Sequence, residues 1–366
     1  MSTTATLPGR ALTESRLLWL TLCLILAWQV GAHVDAWYHI HYGFAIESFF
    51  TWPHALLYAA WAGTGLVVAF YLLESRRRRE PRGAWLPPGY PVVLFGVILF
   101  GLGGGFDLVW HTLFGFEADL ETLLAPSHLW LVVSFMVAAL GLFRAGLEWR
   151  ARMGASAYRP RWADLPALLG LAILFRITLW SFFYSEPLAN DYASGGALTR
   201  HLPSYGEVAW DNIAAQVAGT TGIMLHSILL TLFLVVPLRR LRLPGGTIST
   251  IMLWEGLLVV GSTDLWVYLP AVAGAAFAGE GIWAWLWRGG LGGIESEAGY
   301  WLLAFVVPVV QFFLYFALMG AAGGGIAWTT HLWAGSAVMA GVYGLITSLF
   351  AVPPRFIHAA LPPRRT

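Results

Sequence analysis

The stretch 107-DLVWHTLFGFEADLETLLAPSHLW-130 closes one apolar run and opens the next. Asp107 and His111 stand at the end of the first run and His128 at the start of the second, with Glu117, Asp119 and Glu121 between them. Apolar runs of about 20 residues have the length a helix needs to cross a bilayer. The stretch therefore reads as the tip of a transmembrane helical hairpin that carries ionisable groups. The same grammar occurs earlier, in 35-DAWYHIHYGFAIESFFTWPHALL-57.

The rest of the chain has the same character. Of its 366 residues 58% are hydrophobic and 11% charged, and the mean hydropathy is +0.67. A soluble domain carries about 25% charged residues. The expected fold is all-α: a polytopic integral membrane helical bundle. Spans are expected at about 17–36, 54–75, 91–113, 127–148, 164–184, 214–237, 248–268, 299–319 and 326–350. The stretch 270–288, with Glu280 and 281-GIWAWLW-287, suits an interfacial or re-entrant segment as well as a tenth span, so the count is nine or ten. The expected organisation is a polar tail over 1–16, a duplicated-hairpin half over 17–150, a second membrane half over 151–352 and a basic tail over 353–366. A net charge of +1 gives no field for nucleic acid. The lone Cys23 excludes a disulfide framework within the chain.

Arginine placement sets an expected orientation. Arg10 and Arg16 precede the first span, 76-RRRR-79 follows the second, and Arg144, Arg150, Arg152, Arg159 and Arg161 surround the loop after the fourth. Arg239, Arg240 and Arg242 follow the sixth. Alternating spans put all of these on one side, which is then cytoplasmic with the N-terminus. The hairpin tips fall on the outer side, the periplasmic face of a bacterial inner membrane. The basic tail favours ten spans over nine.

A shift of 72 residues aligns Gly31 with Gly103, Asp35 with Asp107, His39 with His111, Gly43 with Gly115, Phe44 with Phe116 and Glu47 with Asp119. After a two-residue insertion, Trp-Pro-His54 matches Pro-Ser-His128. We read this as an internal repeat, a duplicated hairpin of the kind whose interface often holds the site in membrane folds. Asp35 and His39, like Asp107 and His111, are four apart and project from one helix face. The returning helix brings a second histidine to the same depth. One carboxylate and two imidazoles converge from two helices, a set that suits copper, zinc or iron better than magnesium or calcium. The expected metal ligands are therefore Asp35, His39 and His54 in one set and Asp107, His111 and His128 in the other.

At these residues the sequence resembles the C subunit of copper membrane monooxygenases, the particulate methane and ammonia monooxygenases. The likeness rests on DLVWH, from Asp107 to His111, and on APSH, from Ala125 to His128. It covers about residues 30–145. The resemblance implies that Asp107, His111 and His128 bind one copper and Asp35, His39 and His54 another. The family carries Asp in one ligand set and Asn in the other, whereas both sets here carry Asp.

Other polar residues fall in or near the membrane. Arg176 and Glu255 can pair if their helices touch. His226, Asp264 and His331 form a possible additional polar site. Glu47, Glu117, Asp119 and Glu121 are possible partners that orient the ligand imidazoles. The polar stretch 184–213, with Glu186, Asp191, His201, Glu207 and Asp211, is either a lid over the outer site or a solvated connection. The functional expectation is a copper-binding membrane protein that acts as a metal-dependent oxygenase or oxygenase-like subunit on a small apolar or lipid substrate. Its partners would be the lipid bilayer, other membrane subunits, and a quinol or periplasmic electron donor. Two alternatives stand beside it: a non-catalytic metal transport or assembly factor, and a b-type haem protein with axial histidines.

Overall fold

The computed structural model describes residues 12–42, 51–115, 120–154, 158–195, 212–322 and 324–351. They form an all-α bundle. In chain order the helices are α1 (Glu14–Tyr42), α2 (Trp52–Arg77), α3 (Tyr90–Phe114), the single turn α4 (Glu121–Leu124), α5 (Pro126–Arg152), α6 (Leu165–Trp180), α7 (Asn212–Leu241), α8 (Thr247–Thr263), α9 (Leu269–Trp287), α10 (Glu297–Ala322) and α11 (Thr330–Ala351). A helix satisfies its own backbone polar groups, which is why apolar runs of this length adopt it in lipid. Helices α2, α3, α5, α6 and α9 each carry proline in the first turn, where its missing N–H costs nothing.

Among the described residues nine helical segments are long and apolar enough to cross a membrane, and α8, with 17 residues, is a shorter apolar helix. Side-chain contacts settle how α8 and α9 run. The Glu280 carboxylate on α9 accepts from the backbone N–H of Gly246 and Ser249, both at 3.0 Å, at the N-terminus of α8. The Trp283 indole reaches the Leu243 carbonyl. At the other end of α8, Asp264 lies 2.7 Å from His41 at the end of α1. The stretch 270–288 is therefore one helix antiparallel to α8, not a re-entrant segment. Glu280 sits in an apolar helix because a carboxylate offsets the unpaired N–H groups and positive pole of a neighbouring helix start. With α8 counted, ten helices alternate in direction, and α11 runs back towards the end where α1 begins.

That end gathers the arginines. Arg150 binds Asp164 at 2.8 Å and the carbonyls of Leu241 and Arg242, both at 3.1 Å, tying α5, α6 and α7 together. Glu295, before α10, meets Arg239 at 3.4 Å and Arg242 at 2.6 Å.

The first four long helices pack as two hairpins, α1 on α2 and α3 on α5. Gly31 and Gly103, the aligned pair, each face the returning helix of their own hairpin. A Cβ on Gly31 would lie 2.9 Å from the Leu57 backbone, and one on Gly103 2.6 Å from the Trp130 ring. Small residues there let the helices close. One apolar core, around Trp28, Phe100 and Phe135, joins these helices to α6 through Ile173 and Ile177. A second runs from α6 to α11. Residues 188–194 also fold into the bundle: Leu188, Ala189 and Ala193 are buried, and Tyr268 reaches Asp191 at 3.2 Å. Residues 185–194 are thus packed into the bundle and are not a solvated connection. His201, Glu207, Asp211, residues 1–11 and the tail 353–366 lie outside the described residues.

Candidate metal centre

Both hairpins close with their charged residues together, at the end of the bundle opposite the arginines. In the first, Asp35 Oδ1 lies 3.7 Å from His39 Nε2, and Asp35 Oδ2 lies 3.4 Å from His54 Nε2. In the second, one oxygen serves both rings: Asp107 Oδ1 lies 3.4 Å from His111 Nε2 and 3.3 Å from His128 Nε2. In each triad the three donor atoms lie within 4.8 Å of one another.

Local sequence explains the convergence. The i,i+4 pair comes from the last turns of α1 and α3. The second histidine is the third residue of α2 and of α5, after Trp52-Pro53 and Pro126-Ser127 respectively. Thr51 caps α2, its hydroxyl accepting from the His54 N–H at 3.4 Å. In the second hairpin, α4 fills the longer connection, and its Thr122 carbonyl accepts from His128 Nδ1–H. The Gly115 carbonyl, 3.2 Å from His111 Nδ1, does the same for that ring. Each Nδ1–H is thereby committed, and each Nε2 presents its lone pair to Asp107. Metal-binding histidines are held in this way, by hydrogen bonds from the ring nitrogen that does not bind.

These spacings suit an ion better than direct pairing. Two ligand atoms held about 2.1 Å from one ion at the tetrahedral angle sit roughly 3.4 Å apart. The observed separations, 3.3–3.7 Å, bracket that value. Asp35 Oδ1 and Asp107 Oδ1 are buried with no hydrogen bond of normal geometry, a costly state for a carboxylate.

The two triads share one cavity. It encloses about 160 Å³, with Asp35, His39, His54, Asp107 and His128 on its polar side and Trp28, Phe100, Phe135, Ile177 and Trp180 on its apolar side. Asp107 and His128 are close enough to Asp35 to act on it electrostatically. An engineered apolar cavity of about 150 Å³ accommodates benzene, which sets the scale of what fits.

A third group, Glu186, His226 and Glu255, also brings three donor atoms within 4.8 Å. It lies wholly buried and contains a fixed cation, Arg176. Nη1 of Arg176 lies 2.8 and 2.7 Å from the two Glu186 oxygens and 3.7 Å from Glu255 Oε1. The expected Arg176–Glu255 pair is present, but Glu186 is the closer partner. Sequence reading missed that role because Glu186 follows the span in what looked like a polar connection. Arg176 itself was the available signal, since a cation deep in an apolar run requires a partner.

The possible site of His226, Asp264 and His331 is not assembled. His226 belongs to the Glu186 group, Asp264 pairs with His41, and His331 is exposed at the start of α11. Asp264 and His331 lie near helix ends, where neighbours in space are set by loop geometry. Glu47, Glu117 and Asp119 lie outside the described residues, as does the side chain of Glu121. The orienting partners found for the second triad are backbone carbonyls.

The bundle is thus a membrane protein with internal His/Asp/Glu clusters capable of coordinating a metal ion. No protein-family model, curated protein or solved structure matches the chain.

Proposed function

We propose that the chain is a copper protein of the membrane, with one ion held by Asp35, His39 and His54 and a second by Asp107, His111 and His128. We further propose that it acts as an oxygenase or oxygenase-like subunit on a small apolar or lipid substrate. The observation that carries the reading is the shared cavity: both carboxylate–imidazole triads border one largely apolar chamber. The resemblance to the monooxygenase C subunit favours copper over iron or zinc, which the same donors accept. By the arginine distribution the triads face the periplasm.

Bound copper would supply redox chemistry with dioxygen. The chain's own residues do the rest. Asp35 and Asp107 offset the charge of the ions, and His111 and His128 present Nε2 lone pairs while backbone carbonyls hold their Nδ1–H groups. Trp28, Phe100 and Phe135 exclude water and favour an apolar guest. Electrons would come from a quinol or a periplasmic donor. A haem reading fits less well, because Asp107 Oδ1 stands 3.3–3.4 Å from both facing Nε2 atoms. That is the space an axially ligated iron would need.

The test is oxygen uptake by the copper-loaded protein with a quinol as reductant and benzene-sized hydrocarbons as probes. Uptake that requires copper and disappears in Asp107→Asn is expected. Copper that binds and passes to a chelating acceptor, with no uptake under any donor, would favour the transport or assembly reading.

A further inference from the structure

The buried group around Arg176 has a charge count that geometry alone does not close. Arginine remains protonated under all ordinary conditions. Glu186 receives its guanidinium on both oxygens, at 2.8 and 2.7 Å, and is therefore the ionised partner. His33 Nε2 accepts from Arg176 Nε–H at 2.9 Å, while its Nδ1–H donates to the Gln29 carbonyl at 2.8 Å. That imidazole is a neutral tautomer and adds no charge. The Arg176–Glu186 pair is balanced without Glu255.

Glu255 stands outside that balance. It is 1% exposed, its Oε1 lies 3.7 Å from Arg176, and that oxygen has no hydrogen bond. Helix α8 brings it against α6, α1 and α9. The charged and titratable groups it meets are Arg176 from α6, Glu186 just beyond it, and His226 from α7. Ionised, Glu255 would leave one net negative charge in the bundle interior, where an uncompensated carboxylate is prohibitively costly. A divalent ion in the same place would leave a net positive charge, one donor atom away from a guanidinium. One proton brings the sum to zero.

We infer that Glu255 is a protonated, proton-donating carboxyl in the membrane interior, with Glu186 and Arg176 as its fixed ionic partners and His226 as the adjacent acceptor. His226 Nδ1 is buried without a hydrogen bond. Its Nε2 lies 3.1 Å from the Gln311 amide nitrogen. With the Gln311 amide donating to Nε2, the neutral ring carries its proton on Nδ1; when that amide turns over and its oxygen accepts from Nε2–H, Nδ1 presents the lone pair that takes a proton from this side. The ligand of this site is the proton. It lies one aromatic layer from the metal chamber: Trp180 and Phe183 line the cavity, His33 packs against Trp180, and Arg176 lies over Phe183. Oxygen reduction in the chamber would consume protons that such a site can store. That use rests on the proposed function; the protonation state does not.

The experiment is infrared spectroscopy of the full-length purified protein in H2O and D2O. A C=O stretch of a buried protonated carboxyl that shifts on deuteration is expected in the wild type. It is lost in Glu255→Gln, moved but retained in Glu255→Asp, and unchanged in Asp107→Asn. Gel filtration and a thermal melt establish that each variant is folded. A spectrum in which Glu255→Gln leaves every such band in place overturns the inference. So does equilibrium dialysis against copper and zinc in which Glu255→Gln lowers the bound metal by one ion per chain, since the group would then be an ion site. Both readouts are independent of oxygen uptake.

Discussion

The hairpin triads and the Arg176 group use the same side-chain types, carboxylate and imidazole, within the same 4.8 Å span. They differ in what balances the charge. In the triads no arginine or lysine lies among the donors within the described residues, each Asp keeps a buried oxygen without a normal hydrogen bond, and the site opens on a cavity. In the interior group an arginine is built in and the donors are sealed. A cluster that lacks its own cation is suited to take one from outside, whereas one that carries its own is suited to hold the fold and, at most, a proton. A lesser difference separates the hairpins. Asp107 is 4% exposed and turns one oxygen to both histidines, whereas Asp35 is 18% exposed and divides its two oxygens between them. The second triad is the better pre-organised.

The largest expected effect breaks the interior group. Glu186→Gln combined with Glu255→Gln leaves Arg176 buried without a counter-charge. Unfolding in detergent should show a loss of about 3–5 kcal/mol, the usual cost of breaking a buried pair. Either single change should cost less, because one carboxylate still faces Arg176: Glu186 remains ionised in Glu255→Gln, and Glu255 can ionise in Glu186→Gln. By contrast, Asp107→Asn should shift stability by less than about 1 kcal/mol, as expected away from unpaired buried charge. Its metal affinity should nevertheless fall by more than about 100-fold, beyond the 10–100-fold that outer partners of a metal site command. Equal losses of stability in the two regions would erase the distinction between them.

Packing comes next. Gly31→Ala places a methyl against the Leu57 backbone, which cannot yield as a side chain can. A cost of about 1–3 kcal/mol is expected from overpacking, and with it weaker binding at the Asp35 triad, read by thermal melt and metal titration. Within the outer sites, stepwise competition by a chelator should empty the Asp35 triad before the Asp107 triad. Simultaneous release would show that the difference in burial and oxygen sharing carries no weight. The smallest effect belongs to His41→Ala. Its 2.7 Å contact with Asp264 lies at an exposed helix end, with the Asp264 side chain 54% exposed. Such pairs contribute about 0–1 kcal/mol.

The fold was legible because lipid imposes one solution on long apolar runs. The two hairpins could be proposed from aligned Gly, Asp and His positions. The i,i+4 spacing of Asp35 with His39 and of Asp107 with His111 fixes a shared helix face, and the proline steps before His54 and His128 mark where the chain turns back. Those features need only local geometry. Contacts set by the packing of helices distant in sequence were not legible. Glu280 left 270–288 open between an interfacial or re-entrant segment and a span until its partners, the N–H groups of Gly246 and Ser249, were seen. Glu186 looked solvated until Arg176 was found beside it, and Asp264 turned to His41 instead of His331. The carbonyls of Thr122 and Gly115 leave no trace in residue type at all.

The most direct measurement counts ions. Equilibrium dialysis of the purified full-length chain against copper, followed by metal analysis, should give two ions per chain in the wild type. Asp35→Ala and Asp107→Ala should each hold one, and the double variant none. A double variant that retains the wild-type stoichiometry would contradict the assignment of both triads.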